Sequence, residues 1–249
     1  MAKTDANNFP ILSNVDPADA GLKVTPGAWK WPVLWPYTED YFDRDDTAPD
    51  AEYYAAARTG PTVDEGAREA LATHYGRFIK DSDSVLEIGA SVDSYLPADV
   101  ALATLVGVGL SEEEMRANKA LTRRIVRDLN ADASLAALEA ESFDAVVIAN
   151  SIEFFTDPRA ILREAYRVLR PEGICIVAFT GKNAYEDMNR KKASLSGESS
   201  RIKMWKTMND AQHMWIVGSF FRFSAGDGWR ALKGYDVSPA ETRGMLGEF

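Results

Sequence analysis

Three side chains in the second half of the sequence could act as general bases: Glu153, Tyr185 and His213. A carboxylate, a phenolate or an imidazole can each accept a proton from a reacting group within hydrogen-bond reach. Glu153 is the best candidate by position, because it follows an apolar run that ends at residue 149; a solvated carboxylate in a first helical turn is the alternative. His213 is equally consistent with a place in the core. The sequence shows no nucleophile–base–acid triad and no His, Cys or Asp spacing typical of a metal site.

A further candidate feature is the apolar run at 85–88 that ends in Gly89. Glycines after the first strand of a doubly wound sheet let the main chain approach a cofactor, because they lack Cβ and adopt positive φ easily. Ser91 and Asp93 stand where further glycines are usual. Ser91 is small enough to be tolerated, but the Asp93 carboxylate would repel an anionic cofactor group. We therefore expect a weakened cofactor site, and the Gly-x-Gly-x-x-Gly pattern of dinucleotide enzymes is missing.

The elements that must position these groups alternate between strand and helix. Short runs rich in Val, Ile and Leu predict strands covered on both faces, at 84–88, 104–109, 124–129, 144–149 and 174–180. Amphipathic spacing predicts helices within 61–81, 157–173 and 209–224. This alternation predicts an α/β fold with a doubly wound, mostly parallel sheet of six or seven strands, Rossmann-like in its architecture. Such a fold binds ligands beyond the carboxyl ends of its strands.

The sequence on either side of this core is different in character. Residues 1–60 form a predicted extended arm rich in proline and aromatic residues, followed by one α/β domain at 61–249. Within that domain, the polar stretch 181–208 predicts a mobile loop or lid. The arm carries three closely spaced tryptophans, Trp29, Trp31 and Trp35. They either pack on the arm's own domain or anchor a partner protein through residues 26–45.

Composition limits the classes of partner and compartment. The chain has 249 residues, a formal net charge of -10 and a single cysteine, Cys175, inside an apolar run. The negative charge argues against nucleic acid as a partner. No apolar run is long enough to cross a membrane and no secretory signal opens the sequence. We expect a soluble protein in a reducing compartment, either the cytoplasm or the stroma of an organelle such as a plastid.

The segment "ESFDAVVIANSIEFFTDPRAILREAYRVLRPEGICIVAFT" and the stretch "RIVRDLNAD" resemble the class I S-adenosylmethionine-dependent methyltransferases, especially the type 11 group. The eroded glycine loop followed by "SYLP" is similar to a divergent branch of that superfamily. The resemblance implies S-adenosylmethionine as the cofactor and a small molecule or a protein side chain as the methyl acceptor. The cofactor-binding residues that it implies are Glu87, Gly89, Ser91, Gly109, Asp128, Leu129 and Asn150.

Two functions follow from this resemblance and its departures. Gly109 stands where the family usually has an acidic residue that accepts hydrogen bonds from the ribose hydroxyls. The tail after Pro239 offers no apolar or β-branched run for a seventh strand. The chain is therefore either a methyltransferase with a weakened cofactor site, or a catalytically inactive member of the fold. In the second case it serves as an interaction or structural subunit that docks through its tryptophan-rich arm.

Overall fold

A computed structural model describes residues 22–24, 32–53, 57, 60, 63–179, 200–208 and 210–238. The strands are β1 Leu22–Val24, β2 Ser84–Ile88, β3 Thr104–Gly109, β4 Arg123–Val126, β5 Phe143–Ala149, β6 Leu169–Ala178 and β7 Gly234–Asp236. The α-helices are α1 Asp50–Tyr53, α2 Glu65–Tyr75, α3 Glu112–Ala117, α4 Pro158–Val168, α5 Lys203–Thr207 and α6 Asp210–Ser224. Short 3-10 helices span Glu39–Phe42, Ile152–Phe154 and Gly226–Gly228. None of the described helices is long and apolar enough to cross a membrane.

Five strands form one parallel sheet in the order β4-β3-β2-β5-β6. The chain moves outward from β2 to β4 and then returns to place β5 on the other side of β2. This reversal creates a crevice at the carboxyl ends of β2 and β5, which is where doubly wound folds bind their ligands. The predicted Rossmann-like fold class is confirmed.

The sheet has a hydrophobic core on each face because its strands are apolar on both sides. On one face, Leu86, Ile88, Val146 and Ile148 pack with apolar residues of α4, α5 and α6. On the other, Val85, Leu105, Ala145 and Val147 pack with residues of α2 and the turn that follows it. Burial on both faces explains why the central strands are continuous apolar runs in the sequence.

Capping residues set the boundaries of the two clearest helices. Asp64 accepts a hydrogen bond from the Ala67 amide at the start of α2, and Asp157 accepts one from the Ala160 amide at the start of α4. The helix at 157–173 is confirmed in position but ends at Val168, and the chain passes directly into β6. Pro171 therefore lies within β6, in the stretch between Leu169 and Ile174 that has no partner residue in β5, so the absence of its amide hydrogen costs no ladder bond.

The predicted six or seven strands in one sheet are corrected to five among the described residues. Residues 234–236 form strand β7, but it pairs antiparallel with β1 in a separate two-stranded ribbon. The ring of Tyr235 lies 5.0 Å from that of His74, so this part of the ribbon packs against α2. Three-residue strands carry too little periodicity to reveal their partner in the sequence.

Part of the stretch predicted as a loop is an ordered element of the core. Residues 200–208 contain α5, and Ile202, Met204 and Trp205 are buried on the α4 and α6 face of the sheet. Lys203 and Lys206 form ion pairs with Asp43 and Asp45 of the arm. The lid prediction for 181–199 falls outside the described residues.

The described part of the arm, residues 32–53, packs on its own domain. Tyr37 belongs to the core, and the ring of Trp35 stacks on that of Phe42 at 5.8 Å. Trp35 also meets Phe220 of α6 at 6.2 Å. Trp29 and Trp31 lie outside the described residues, so a partner role for them stays a prediction.

Candidate cofactor and substrate site

The crevice between β2 and β5 is narrow where their carboxyl ends meet. Gly89 has a φ of 80°, and a Cβ atom at this position would overlap the hydroxyl oxygen of Ser151. The Ser151 hydroxyl donates a hydrogen bond to the Ala149 carbonyl at 2.9 Å. Glycine is therefore required at 89 for two reasons, its backbone conformation and the side chain that rests on it.

The main chain after Gly89 bends toward β3. The amides of Gly89 and Ala90 both donate to the Val108 carbonyl, each at 2.9 Å. The Ala90 carbonyl oxygen lies so close to Gly109 that a Cβ atom at 109 would overlap it. The end of β3, where the family resemblance implies a ribose-binding group, is thus in contact with the loop itself.

Ser91 and Asp93, the two residues that depart from the glycine pattern, form hydrogen bonds with side chains of neighbouring helices. The Ser91 hydroxyl donates to the Glu114 carboxylate at 2.6 Å, and Glu114 is buried. Asp93 accepts a hydrogen bond from the Nε of Arg68 on α2, also at 2.6 Å. The Asp93 and Glu65 carboxylates raise the pKa of the Arg68 guanidinium, so this ion pair keeps its charge. The loop is fastened to α2 on one side and to α3 on the other.

Glu87 is a buried carboxyl group beneath this loop. Glu87 is 4% exposed, and the Ser94 hydroxyl donates a hydrogen bond to its carboxyl group at 2.6 Å. The same hydroxyl accepts a hydrogen bond from the side-chain amide of Asn118 at 2.7 Å. Burial raises the pKa of Glu87 to about 8, against the opposing effect of the Ser94 hydrogen bond. Glu87 is consequently protonated at neutral pH and directed into the fold.

This burial gives a testable pH dependence of stability. The folded protein holds the Glu87 proton with a pKa of about 8, whereas the unfolded chain releases it near the ordinary value of about 4.3. Glu87 therefore contributes most below the unfolded pKa, and its contribution falls as pH rises toward the folded pKa. Between pH 6 and pH 7.5 we expect wild type to lose about 2 kcal/mol of unfolding free energy relative to Glu87→Gln. Urea unfolding of both proteins at the two pH values tests this.

The control for this prediction is the Glu112→Gln substitution in the exposed first turn of α3. It also removes one carboxylate, but from a solvated position. Its unfolding free energy should follow that of wild type across the same pH interval. Equal pH dependence in wild type and Glu87→Gln would show that Glu87 titrates normally.

The loop after β4 carries the residues that the resemblance implies for the adenine. One oxygen of Asp128 accepts hydrogen bonds from the amides of Asn130 and Ala131, at 2.9 and 3.1 Å. Leu129 is buried in the core. Both residues therefore have structural contacts that explain their presence in this loop.

Asn130 links this loop to two other segments. Its side-chain amide donates to Asp50 of the arm at 2.7 Å and to the Phe154 carbonyl at 3.0 Å. Its side-chain oxygen accepts from the Thr156 amide at 2.8 Å. Arg44 in turn pairs with Asp50 at 2.6 Å. The arm is thus bonded to the edge of the site, a contact that the sequence analysis missed because the residues are far apart in the chain.

Asn150 stands at the carboxyl end of β5, beside the crevice. It has a φ of 48°, and its main-chain amide donates to the Ala178 carbonyl at 2.8 Å. The Nδ2 atom of its side chain is buried and has no hydrogen-bond partner among the described residues. A buried amide donor without a partner is costly and marks a place where a polar ligand atom or water fits.

Glu153 and His213, two of the three candidate bases, both lie in a buried cluster. Glu153 is 0% exposed, and its carboxylate lies 3.9 Å from the guanidinium of Arg201, which is 1% exposed. Burial raises the pKa of Glu153, and Arg201 opposes that shift. The His213 ring stacks on Trp205 at 4.0 Å, and its Nε2 lies 2.8 Å from the Trp205 carbonyl. Tyr185 lies outside the described residues.

Arg201 was not predicted from the sequence. Its one signal is a basic residue directly before Ile202, in a segment that also contains the apolar residues Met204 and Trp205. Within the described part of the chain, no group of three or more His, Cys, Asp or Glu residues could hold a metal ion.

Comparison with known families agrees with this topology. Residues 86–177 match a family model described as "Methyltransferase domain". The match begins in β2, ends in β6 and includes the crevice. A search of curated proteins found no significant match.

Solved structures give more distant similarities. An S-adenosylmethionine-dependent methyltransferase of Thermotoga maritima is 20% identical, with 64% of this chain and 69% of that chain covered and a TM-score of 0.43. A structure from Haloferax volcanii is a complex between a methyltransferase activator and a protein assigned as a methyltransferase. It is 20% identical, with 64% of this chain and 69% of that chain covered and a TM-score of 0.44. A protein of Pyrococcus horikoshii is 29% identical, with 52% of this chain and 59% of that chain covered and a TM-score of 0.40. Since these TM-scores are below 0.5, the fold assignment depends on the strand order of the chain itself.

Proposed function

We propose that residues 86–177, which match the family model for a methyltransferase domain, no longer transfer methyl groups. We infer that this domain serves as an interaction or structural subunit. The observation that carries the proposal is the contact between the Ala90 carbonyl and Gly109. A side chain that presents an acceptor to the ribose would have to start at 109, and the main chain of the loop already occupies the position of its Cβ atom.

The state of the neighbouring groups supports the same conclusion. The amides of Gly89 and Ala90, which could otherwise hydrogen-bond a cofactor, both donate to Val108. Gly109 supplies no carboxylate for ribose hydroxyls, and hydrogen bonds to a charged group are worth roughly 1.5–3 kcal/mol each. Losing a pair of them would weaken cofactor binding by more than a hundredfold.

A second candidate function is S-adenosylmethionine-dependent methyl transfer to a small molecule or a protein side chain. The observation that favours it is the buried Nδ2 atom of Asn150, which lacks a partner beside the crevice. For this function the loop at 90–97 would have to leave β3, breaking the Ser91–Glu114 and Arg68–Asp93 contacts. Glu153, the candidate base, is fully buried beside Arg201 and would also have to become accessible to the acceptor.

Calorimetric titration of the cofactor-stripped protein with S-adenosylmethionine distinguishes the two functions, with S-adenosylhomocysteine as the product control. We expect no binding heat up to millimolar ligand in protein whose circular dichroism shows that it is folded. Binding at micromolar affinity, about -8 kcal/mol, would overturn the non-catalytic assignment and favour methyl transfer.

A further inference from the structure

An open cleft of about 960 Å³ lies between the arm and the start of α4. We call it the arm cleft; its lining includes Trp35, Tyr37 and Phe42 from the arm and residues 156–159 from the other side. The chemistry described above does not use it. Its size is within the range of pockets that bind ligands or peptide side chains.

The aromatic wall of the arm cleft already holds a cation. The guanidinium of Arg159 lies over the Trp35 ring, 4.1 Å from its centroid. Tyr37 meets the same tryptophan edge-on at 4.8 Å, and Phe42 stacks on it, so the ring is held in a fixed orientation. The Arg159 guanidinium is therefore the cation that this tryptophan face binds.

The rim of the arm cleft is acidic. Four carboxylates line it, from Glu39, Asp40, Asp43 and Asp157, against the two guanidinium groups of Arg44 and Arg159. Arg44 is in addition paired with Asp50 at 2.6 Å and Asp43 with Lys203 at 3.0 Å, so the excess negative charge of the rim comes from Glu39 and Asp40. The cleft therefore has the sign of the whole chain, whose formal net charge is -10. Carboxylates around an aromatic wall complement a basic ligand.

Two solvent-exposed apolar residues, Val33 and Leu34, directly precede Trp35 of the aromatic wall. Val33 is 95% exposed and Leu34 is 78% exposed, immediately before Trp35. These are the two most exposed large hydrophobic residues in the described part of the chain. Adjacent exposed apolar residues beside a charged rim are typical of a protein-binding surface.

We propose that the arm cleft docks a basic, partly apolar peptide segment of a partner protein. An arginine or lysine of that segment pairs with the Glu39 and Asp40 carboxylates of the rim, beside the Trp35 face that Arg159 already covers, and its apolar neighbours cover Val33 and Leu34. This inference deepens the interaction role proposed above and rests on it for its biological setting. Its chemistry depends on the cleft alone.

The test uses the full chain and a defined probe. A fluorescein-labelled nine-residue peptide of alternating Arg and Leu is titrated with the protein at about 150 mM salt, where charges further apart than about 8 Å are screened. Fluorescence anisotropy reports binding, and the same peptide with Glu in place of Arg is the charge control. We expect the Arg peptide to bind and the Glu peptide not to bind.

Matched variants separate the arm cleft from the general negative charge. Glu39→Gln with Asp40→Asn removes two exposed rim carboxylates, and we expect about a fivefold or larger loss of affinity. Glu112→Gln with Glu113→Gln removes two exposed carboxylates from α3 and should change affinity less than about twofold. Leu34→Ser, at an exposed position that folding does not need, should weaken binding about threefold by removing apolar contact.

Two results would overturn the inference: absence of binding up to millimolar protein, or equal weakening by the rim pair and the α3 pair. These failures are separate from a failure of the proposed function. A chain that binds S-adenosylmethionine and also binds the Arg peptide at the rim would keep the arm cleft and lose the non-catalytic assignment. A chain that binds neither S-adenosylmethionine nor the Arg peptide would keep the non-catalytic assignment and lose the arm cleft.

Discussion

Gly109→Asp should destabilise the fold by about 3 kcal/mol and should not create a cofactor site. This substitution restores the acidic residue that the family resemblance implies at the end of β3. In this chain, however, its Cβ atom would overlap the Ala90 carbonyl oxygen, and Ala90 is held there because its amide donates to Val108. The new carboxylate would also be enclosed without a designated hydrogen-bond donor. Urea unfolding and calorimetry with S-adenosylmethionine measure both consequences.

Gly60→Asp is the matched control for this prediction. Gly60 has no heavy atom within 4 Å of the position that its Cβ would occupy, so the same substitution meets no obstacle there. It should change the unfolding free energy by less than about 0.5 kcal/mol. If Gly109→Asp were as stable as this control and bound the cofactor, the loop would be free to leave β3. The non-catalytic assignment would then be wrong.

The sheet and its main helices could be predicted because their determinants are local. The parallel strands are covered on both faces and therefore appear as continuous apolar runs such as 104–109, which is β3 in its full length. Helix α4 is signalled by Asp157 before it and by the apolar spacing of Ile161, Leu162 and Ala165 within it. Each signal lies within a dozen residues.

The closure of the candidate site could not be predicted, because it depends on contacts between distant residues. Ser91 and Asp93 were identified as departures from a glycine pattern, but their partners Glu114 and Arg68 lie 23 and 25 residues away. Sequence alone indicated a weakened site. The position of the Ala90 carbonyl against Gly109 adds that no side chain fits at the end of β3.

Helix α5 and the packing partners of the arm could not be predicted from the sequence either, because both depend on contacts between distant residues. Helix α5 is five residues long and follows a polar stretch, so its apolar residues carried no periodic signal. The aromatic residues of the arm likewise have no period, because they pack against α6 across the fold. Short elements of this kind are defined by tertiary contacts rather than by propensity.

Arg201→Met is the second substitution with a large expected effect. Arg201 and Glu153 are both almost fully buried, and their charged atoms lie 3.9 Å apart. Removing the guanidinium leaves the buried Glu153 carboxyl without the opposite charge of Arg201, which costs about 3–5 kcal/mol when such a pair is broken. Methionine retains most of the volume of the arginine stem, so the loss reports charge more than packing. Arg123→Met, at an exposed position of the edge strand β4, is the control and should lie within about 0.5 kcal/mol of wild type.

The pH dependence of Arg201→Met identifies the cause of the loss. Burial already raises the pKa of Glu153 and Arg201 opposes the shift, so without Arg201 the folded-state pKa rises further. A carboxyl group with a raised folded pKa contributes fully below its unfolded pKa of about 4.3 and loses that contribution as pH rises through the folded value. The deficit of Arg201→Met relative to wild type should therefore be larger at pH 8 than at pH 5 in urea unfolding.

Adding Glu153→Gln should recover most of the stability at pH 8 and abolish this pH dependence, because no ionisable group then remains in the pair. A deficit that is equal at both pH values and persists in the double variant would mean that Arg201 stabilises the fold through packing of its stem, with no contribution from its charge.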